Sequence, residues 1–190
     1  SPIGERTVRI DPTNRETLTN LGSVPVCSAV VWAQGVNHND SIRDVEPSVV
    51  REVLEVNTLM IVDTLRSLLE SGRVRLGARL CIISSVWQVL SRTNKLSYTI
   101  SKSALGGLVR AVAADLSSSG ILVNAVLPGV LDTPMTRSVL SAEQVASFER
   151  ATGFNRLVSL EDVANTVAFL CSASNTGITG QSINVDLGFG

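Results

Sequence analysis

Two side chains of the sequence stand at a spacing that suits proton transfer with a bound ligand. Tyr98 and Lys102 lie four residues apart in a stretch with helical periodicity, so both side chains lie on one helix face. The pKa of a free tyrosine is about 10, and the charge of Lys102 is expected to favour the phenolate and bring Tyr98 closer to the working pH. Taken alone, the spacing also fits a solvated helix face.

Further polar residues mark the ends of the apolar runs around this pair. Ser85, thirteen residues before the tyrosine, follows the apolar run 80–83. Pro128 and Gly129 end the next run, and Thr133 comes just after them. Open α/β sheets bind their ligands at the carboxyl ends of the strands. The context therefore favours a catalytic site over a solvated helix.

An alternation of short strands and longer helices must position these side chains. The sequence predicts strands over 7–10, 26–32, 80–83, 121–126 and 182–185. It predicts helices over 14–21, 47–70, 97–116 and 160–170. Because the strands are continuous apolar runs, we expect one α/β domain over residues 1–190, with a parallel sheet in a three-layer α/β/α arrangement. The stretch 131–157 is expected to form a lid or binding loop.

Composition and charge exclude several classes of protein. Sixteen basic and seventeen acidic residues give a net charge of −1 with no block of like charge, so nucleic-acid binding is not expected. The apolar runs are too short to span a bilayer, and no secretory signal is visible. Cys27, Cys81 and Cys171 indicate free thiols in a reducing compartment, with neither a disulfide frame nor a metal site. We therefore expect a cytoplasmic protein.

Taken in order, the motifs resemble the short-chain dehydrogenase/reductase family from about residue 11 to residue 190. The resemblance implies a Rossmann-like, doubly wound sheet and hydride transfer between NAD or NADP and a secondary alcohol or ketone. It places Asn57, Ser85, Tyr98 and Lys102 on the family's catalytic tetrad. Tyr98 would be the general acid/base, Ser85 would hold the substrate oxygen, and Asn57 would position a water molecule beside Lys102. The family also implies a small-molecule substrate and a homodimer or homotetramer.

The same resemblance implies a set of cofactor contacts. They are Asp11, Gly35, Tyr98, Lys102, Pro128, Gly129 and Thr133. Pro128, Gly129 and Thr133 would face the nicotinamide, and Asp11 the adenine ring. Gly35 keeps a close backbone approach, although residues 32–35 read Trp-Ala-Gln-Gly where the family has Asn-Asn-Ala-Gly. Trp32 is expected either to pack in the core, which we favour, or to narrow the cofactor channel.

The front of the sequence departs from the family pattern. Only ten residues precede Asp11, and none of them forms the Gly-rich phosphate loop. Two strand-helix units, roughly 60 residues, are therefore expected to be missing from this N-terminally truncated sheet. Either the chain is incomplete, or it is a shortened relative in which strand 7–10 moves beside strand 26–32 to give a five-stranded sheet.

Two functions of different classes follow from these observations. The first is an NAD(P)-dependent oxidoreductase that acts on a secondary alcohol or ketone. The second is a binding or scaffold protein derived from such an enzyme, with weak or no dinucleotide binding. Trp87 is expected either to line a substrate pocket or to cap the sheet, whereas Arg92 and Lys95 are expected to be surface charges.

Overall fold

The sheet has four parallel strands in a computed structural model that describes residues 8–11 and 14–190. The strands are β1 (Cys27–Trp32), β2 (Val74–Ile83), β3 (Leu122–Pro128) and β4 (Ser182–Val185), in the spatial order β1-β2-β3-β4. Every neighbouring pair is parallel. The carboxyl ends of all four strands therefore meet at one edge, where the predicted site residues lie.

The described residues also form six α-helices and three 3-10 elements, of which all but the first 3-10 element follow β1. The helices are α1 (Pro47–Leu54), α2 (Met60–Glu70), α3 (Leu96–Asp115), α4 (Pro134–Val139), α5 (Ala142–Arg150) and α6 (Leu160–Cys171). The 3-10 turns are Arg15–Ser23, Val86–Gln88 and Ser117–Ser119. A π-helical turn, Glu55–Leu59, joins α1 to α2. The stretch 131–157 contains the short helices α4 and α5, and its role as a lid or binding loop stays a prediction.

Two apolar clusters cover the two faces of the sheet. Leu80 and Ala125 belong to the cluster packed under α2 and α3, whereas their chain neighbours Cys81 and Val126 belong to the cluster packed under α6. This alternation follows from the two-residue period of a strand, which sends successive side chains to opposite faces. The fold is therefore the three-layer, Rossmann-like α/β arrangement that the sequence predicts. Among the described residues, the helices are too short or too polar to cross a membrane.

The strand predicted over residues 7–10 is wrong for the part that the structure describes. Residues 8–10 form no strand, and Thr7 lies outside the described residues. The chain turns directly after them, because Asp11 accepts a hydrogen bond from the backbone N–H of Asn14 and donates its own to Thr17 Oγ1. Ile10 packs against the α2/α3 cluster without strand pairing. Within the described residues the sheet has four strands, not five.

Trp32 packs in the core, as favoured from the sequence. It is 7% exposed and belongs to the α2/α3 cluster. Its indole Nε1–H donates a 2.8 Å hydrogen bond to Thr64 Oγ1 on α2. Because this donor is buried, the Thr64 hydroxyl satisfies a group that has no access to water.

Replacing Thr64 by valine is expected to lower the free energy of unfolding by about 1–3 kcal/mol. The substitution keeps the shape of the side chain but leaves the indole N–H of Trp32 without its acceptor. Urea unfolding followed by circular dichroism measures the change. Thr19→Val is the control, because it makes the same change at an exposed threonine. Equal stabilities of the two variants would contradict the expectation.

Candidate active site

The site begins at Asn57, which sits in the π-helical turn and is fully buried. Its Oδ1 accepts a 2.8 Å hydrogen bond from the backbone N–H of Val36, and its Nδ2 donates to Val36 O at 2.9 Å. The same Nδ2 donates to Ser101 Oγ at 2.9 Å, and Ser101 Oγ donates to Tyr98 O. The amide thus ties the loop after β1 to the helix that carries the tyrosine.

Ser85 lies immediately beyond β2, where the chain enters the 3-10 turn Val86–Gln88. Its Oγ accepts a 3.3 Å hydrogen bond from the backbone N–H of Trp87 and caps that turn. The strand leading to it is held in place because Ser84 N donates to Val126 O of β3. Ser85 is therefore fixed at the carboxyl edge of the sheet, where the sequence placed it.

Tyr98 lies in the first turn of α3, and Lys102 follows one turn later. Asp40 anchors the start of this helix, since its Oδ1 accepts from Ser97 N at 2.9 Å and its backbone oxygen accepts from Leu96 N. Lys102 is 3% exposed. Its Nζ donates to Ile83 O at 3.2 Å and lies 5.6 Å from the centroid of the Tyr98 ring. The ammonium group therefore lies between the end of β2 and the phenol.

The electrostatics of the pair differ from the expectation drawn from sequence. Burial raises the pKa of Tyr98, and its hydrogen bond with Ser85 opposes this shift without reversing it. Burial also lowers the pKa of Lys102 to about 8. Both shifts disfavour the charged form, which is the usual effect of removing a group from water. The sequence predicted a lowered tyrosine pKa because it revealed the neighbouring charge but not the depth of burial.

Gly35 and Lys102 shape a space that fits the nicotinamide end of a dinucleotide. A Cβ on Gly35 would lie 3.4 Å from Asn57 Oδ1 and 3.7 Å from Lys102 Nζ, so glycine leaves the backbone open beside both groups. The ammonium group has three N–H donors, and Ile83 O accepts one of them. Hydroxyl groups of a ribose would satisfy the others. The residues present therefore fit a nicotinamide riboside.

The remaining predicted cofactor contacts occupy two regions. Pro128 is the last residue of β3, and the backbone N–H of Gly129 donates to Val185 O at 3.0 Å. Thr133 caps the short helix α4 through a 3.1 Å bond from Thr136 N. These three residues lie at or just beyond the carboxyl end of β3, at the edge that also carries Ser85. Asp11 lies before the turn Arg15–Ser23, and its contact with an adenine ring stays a prediction.

Several functional positions were not recognised from the sequence as parts of the site. Asp40 and Ser101 hold α3 in place through hydrogen bonds to residues 57 and 44 positions away. Phe148 and Phe189 lie near Trp87, with ring centroids of Trp87 and Phe189 6.2 Å apart and those of Phe148 and Phe189 6.1 Å apart. A local motif carries no signal for such contacts, because each joins distant segments of the chain.

The fold and this cluster define a Rossmann-like protein with a Ser–Tyr–Lys–Asn site at the carboxyl edge of its sheet. The sequence model of the family described as enoyl-(acyl carrier protein) reductase matches residues 16–190. The chain belongs to the short-chain dehydrogenase/reductase family. Among the described residues, no group of three His, Cys, Asp or Glu side chains could hold a metal ion.

Three similar proteins illustrate this membership. The chain is 38% identical over 138 residues to the 3-oxoacyl-[acyl-carrier-protein] reductase FabG of Aquifex aeolicus, covering 72% of this chain and 55% of the relative. It is 31% identical over 180 residues to the glucose 1-dehydrogenase of Gluconobacter oxydans, covering 91% and 65%. A Beutenbergia cavernae protein solved with bound NADP has 27% identity and a TM-score of 0.85, with 95% and 74% covered. The chain thus spans less than two thirds of the length of both curated relatives.

Proposed function

We propose that this chain carries the catalytic part of an oxidoreductase that transfers hydride between NAD or NADP and a secondary alcohol or ketone. The observation that carries the proposal is the cluster of Tyr98 with the buried Ser85 and Lys102, in which the Lys102 ammonium lies 5.6 Å from the centroid of the phenol ring. The NADP-bound Beutenbergia cavernae relative supports the choice of cofactor. Glucose and 3-oxoacyl groups, named for two relatives, represent the substrate classes to test first.

The geometry gives each side chain one task during reduction of a ketone. The Ser85 hydroxyl donates to the carbonyl oxygen and stabilises negative charge as it develops there. Tyr98 transfers its phenolic proton to the same oxygen, while the bound nicotinamide supplies the hydride. The ordinary pKa of a phenol is about 10 and burial raises that of Tyr98 further, so at neutral pH the side chain is in the protonated form that reduction requires. We therefore expect the reducing direction to be favoured near pH 7.

Lys102 and Asn57 prepare the cofactor side of the site. The Lys102 ammonium would hold the ribose hydroxyls of the nicotinamide riboside through the donors that Ile83 O does not occupy. Asn57 fixes the backbone at Val36, next to Gly35, where the riboside must approach. Asn57 would also position a water molecule beside Lys102. Together these contacts supply orientation rather than further chemistry.

The affinity for NADH or NADPH is expected to fall about tenfold as the pH rises from 6.5 to 9.5. Below a pKa of about 8 the Lys102 side chain is charged, and above it the charge and the strength of its hydrogen bonds are lost. Fluorescence titration of the reduced nucleotide with the 190-residue chain measures the dissociation constant at each pH. The upward-shifted pKa of Tyr98 keeps the phenol neutral over most of this range.

The two lysines of the chain provide a matched comparison for this titration. Lys102→Met is expected to weaken binding at pH 6.5 and to remove most of the pH dependence. Lys95→Met should retain the pH dependence, because Lys95 bonds to Asn37 and Asn39 instead of the catalytic cluster. Absence of binding to either nucleotide at any pH would instead support the alternative of a binding or scaffold protein derived from the family.

We also propose that α2 and α3 form an interface between two copies of the chain. A groove between these helices is lined by Val62, Leu65, Leu69, Leu108 and Val112. Val62 on α2 and Ile100 on α3 are each 40% exposed, and Leu59, which directly precedes α2, is 43% exposed. Analytical ultracentrifugation is expected to give a homodimer or homotetramer, and a Val62→Glu variant should shift the protein toward the monomer. A monomeric wild-type chain would rule this interface out.

A further inference from the structure

Three aromatic side chains, Trp87, Phe148 and Phe189, form an aromatic wall close to Ser85 in the fold. The guanidinium group of Arg92 packs against this wall. Trp87, two residues after Ser85, makes an edge-to-face contact with Phe189, and Phe189 contacts Phe148 of α5. Arg92 lies over two of these rings, with its Cζ 5.9 Å from the Trp87 centroid and 5.2 Å from the Phe148 centroid. Trp87 and Phe148 therefore hold the Arg92 cation, and Phe189 contacts both of these rings.

Stacking on Trp87 and Phe148 orients the guanidinium group of Arg92 and leaves its N–H donors free to form hydrogen bonds. A cation over a ring face is attracted by the ring quadrupole, and the planar group still presents its N–H edge to solvent. Arg92 is exposed and belongs to no ion pair of the described residues. By contrast, Arg137 on α4 and Arg156 in the loop before α6 are each paired with a carboxylate. The ring contacts thus orient the guanidinium group of Arg92, and its N–H donors can bind an anion.

A second cation adds to the positive potential at this position. The charge of Arg92 contributes to lowering the pKa of Lys95, so the two groups lie close enough to interact, although burial is the larger cause. Lys95 Nζ donates to the amide oxygens of Asn37 and Asn39 at 3.0 and 2.7 Å. Asp40 opposes the shift of the Lys95 pKa, but its effect is smaller than that of Arg92. The loop that leads from Ser85 to Tyr98 therefore presents cations toward the rim of the site.

We propose that Arg92 is a specificity-determining residue that binds an anionic group, carboxylate or phosphate, of the ketone or alcohol substrate. The inference rests on the proposed function, because it takes Ser85 and Tyr98 as the binding point of the reacting oxygen. The substrate then extends from that oxygen along the wall of Trp87 and Phe148 to the guanidinium group. A planar fork suits both carboxylate and phosphate through paired N–H···O bonds. Arg92 is exposed, as expected of a surface charge, and the proposal adds a binding role to it.

Matched ketones that differ in one anionic group test the proposal and separate the two anions. The carboxylate pair is 4-oxopentanoate and its methyl ester, and the phosphate pair is dihydroxyacetone phosphate and dihydroxyacetone. With NADPH or NADH, we expect a higher kcat/KM for the anionic member of at least one pair. Arg92→Gln should reduce that preference about tenfold through KM, as expected when a charge-assisted bond is lost. The kcat/KM of the neutral ketones should stay within about twofold.

Two further variants distinguish a binding role from a structural one. Arg92→Lys keeps the charge but not the fork, so it should recover only part of the preference. Arg110→Gln removes an exposed arginine on α3 and should leave the preference unchanged. If Arg92→Gln lowers kcat/KM equally for charged and neutral ketones, Arg92 is a structural residue and the proposal is overturned. A wild-type enzyme that turns over both members of each pair equally well overturns it too.

A binding measurement keeps the inference testable if the chain turns over no ketone at all. The chain has two tryptophans, and Trp32 is buried with its indole N–H bound to Thr64, so ligand-dependent emission changes report on Trp87. The anionic ketones should change this emission at lower concentration than the neutral ones, and the difference should shrink in Arg92→Gln. Inactivity with a retained difference would reject the proposed function alone. Inactivity without any difference would reject both.

Discussion

Replacing Tyr98 by phenylalanine is expected to lower kcat for ketone reduction by about 10²–10⁴-fold while leaving nucleotide affinity nearly unchanged. The substitution removes the proposed proton donor beside Ser85, and general acid catalysis contributes an effect of this size. The ring itself stays, so the 5.6 Å contact with the Lys102 ammonium persists. The loss should therefore fall on kcat rather than on the binding of NADH or NADPH. Steady-state kinetics and nucleotide titration of the same preparation separate the two effects.

A neighbouring position supplies the control for this substitution. Thr99→Val alters the adjacent residue of the same helix, and the Thr99 hydroxyl has no hydrogen-bond partner within the described residues. We expect the activity of this variant to stay within about threefold of the wild type, since such changes away from reacting groups have small effects. A Tyr98→Phe enzyme with wild-type kcat would show that the phenol takes no part in the rate-limiting chemistry.

Tyr98 also allows its own pKa to be measured directly. The sequence contains one tyrosine, so the ultraviolet absorbance change on ionisation of the wild-type chain reports on this phenol alone. The raised pKa implies a midpoint above the ordinary value of about 10 in the absence of nucleotide. Since a protonated phenol is the form that donates, reduction should persist through neutral pH and oxidation should increase at alkaline pH.

The sequence predicted the arrangement of the catalytic cluster because its signals are local. Tyr98 and Lys102 share a helix face by spacing, and Ser85 lies at a strand end that topology brings to the same edge. The helix, strand and layer order followed from the same short-range patterns. The roles of the cluster in hydride chemistry remain proposals, since the placement of side chains does not by itself show turnover.

What the sequence did not predict depends on contacts between distant segments. The pKa of Tyr98 depends on how deeply α3 is packed, which no spacing encodes. Asp40 anchors a helix that begins 56 residues later, and nothing next to Asp40 marks it as a cap. The strand over 7–10 failed for a related reason. Thr7, Val8 and Ile10 satisfy a strand pattern. In the structure, however, Ile10 is partly buried against the α2/α3 cluster and pairs with no strand.

Replacing Asn57 by alanine is expected to lower the free energy of unfolding by about 2–5 kcal/mol. The side chain makes three hydrogen bonds of 2.8–2.9 Å, two to the backbone of Val36 and one to Ser101 Oγ. Its removal leaves Val36 N–H and its carbonyl without these partners in a partly buried loop, and each such group costs about 1–3 kcal/mol. Urea unfolding of the variant and the wild type measures the loss.

Two further variants separate hydrogen bonding from packing at this position. Asn57→Leu fills the volume but restores no hydrogen bond, so it should be destabilised nearly as much as Asn57→Ala if the bonds dominate. A cavity effect would instead make the leucine variant clearly the more stable of the two. Asn184→Ala removes an exposed asparagine bonded to Asp186 and should change stability by no more than about 0.5 kcal/mol.

Loss of the Asn57 hydrogen bonds is also expected to weaken binding of the nucleotide cofactor. Val36 follows Gly35, whose backbone lies beside Asn57 Oδ1 and Lys102 Nζ, so releasing Val36 frees the segment that the nicotinamide riboside must approach. Asn57→Ala should therefore weaken nucleotide binding even under conditions where the variant is fully folded, whereas Thr64→Val should destabilise the core without this effect. Equal nucleotide affinities of the folded Asn57→Ala variant and the wild type would show that the amide stabilises the fold but does not position the loop for the cofactor.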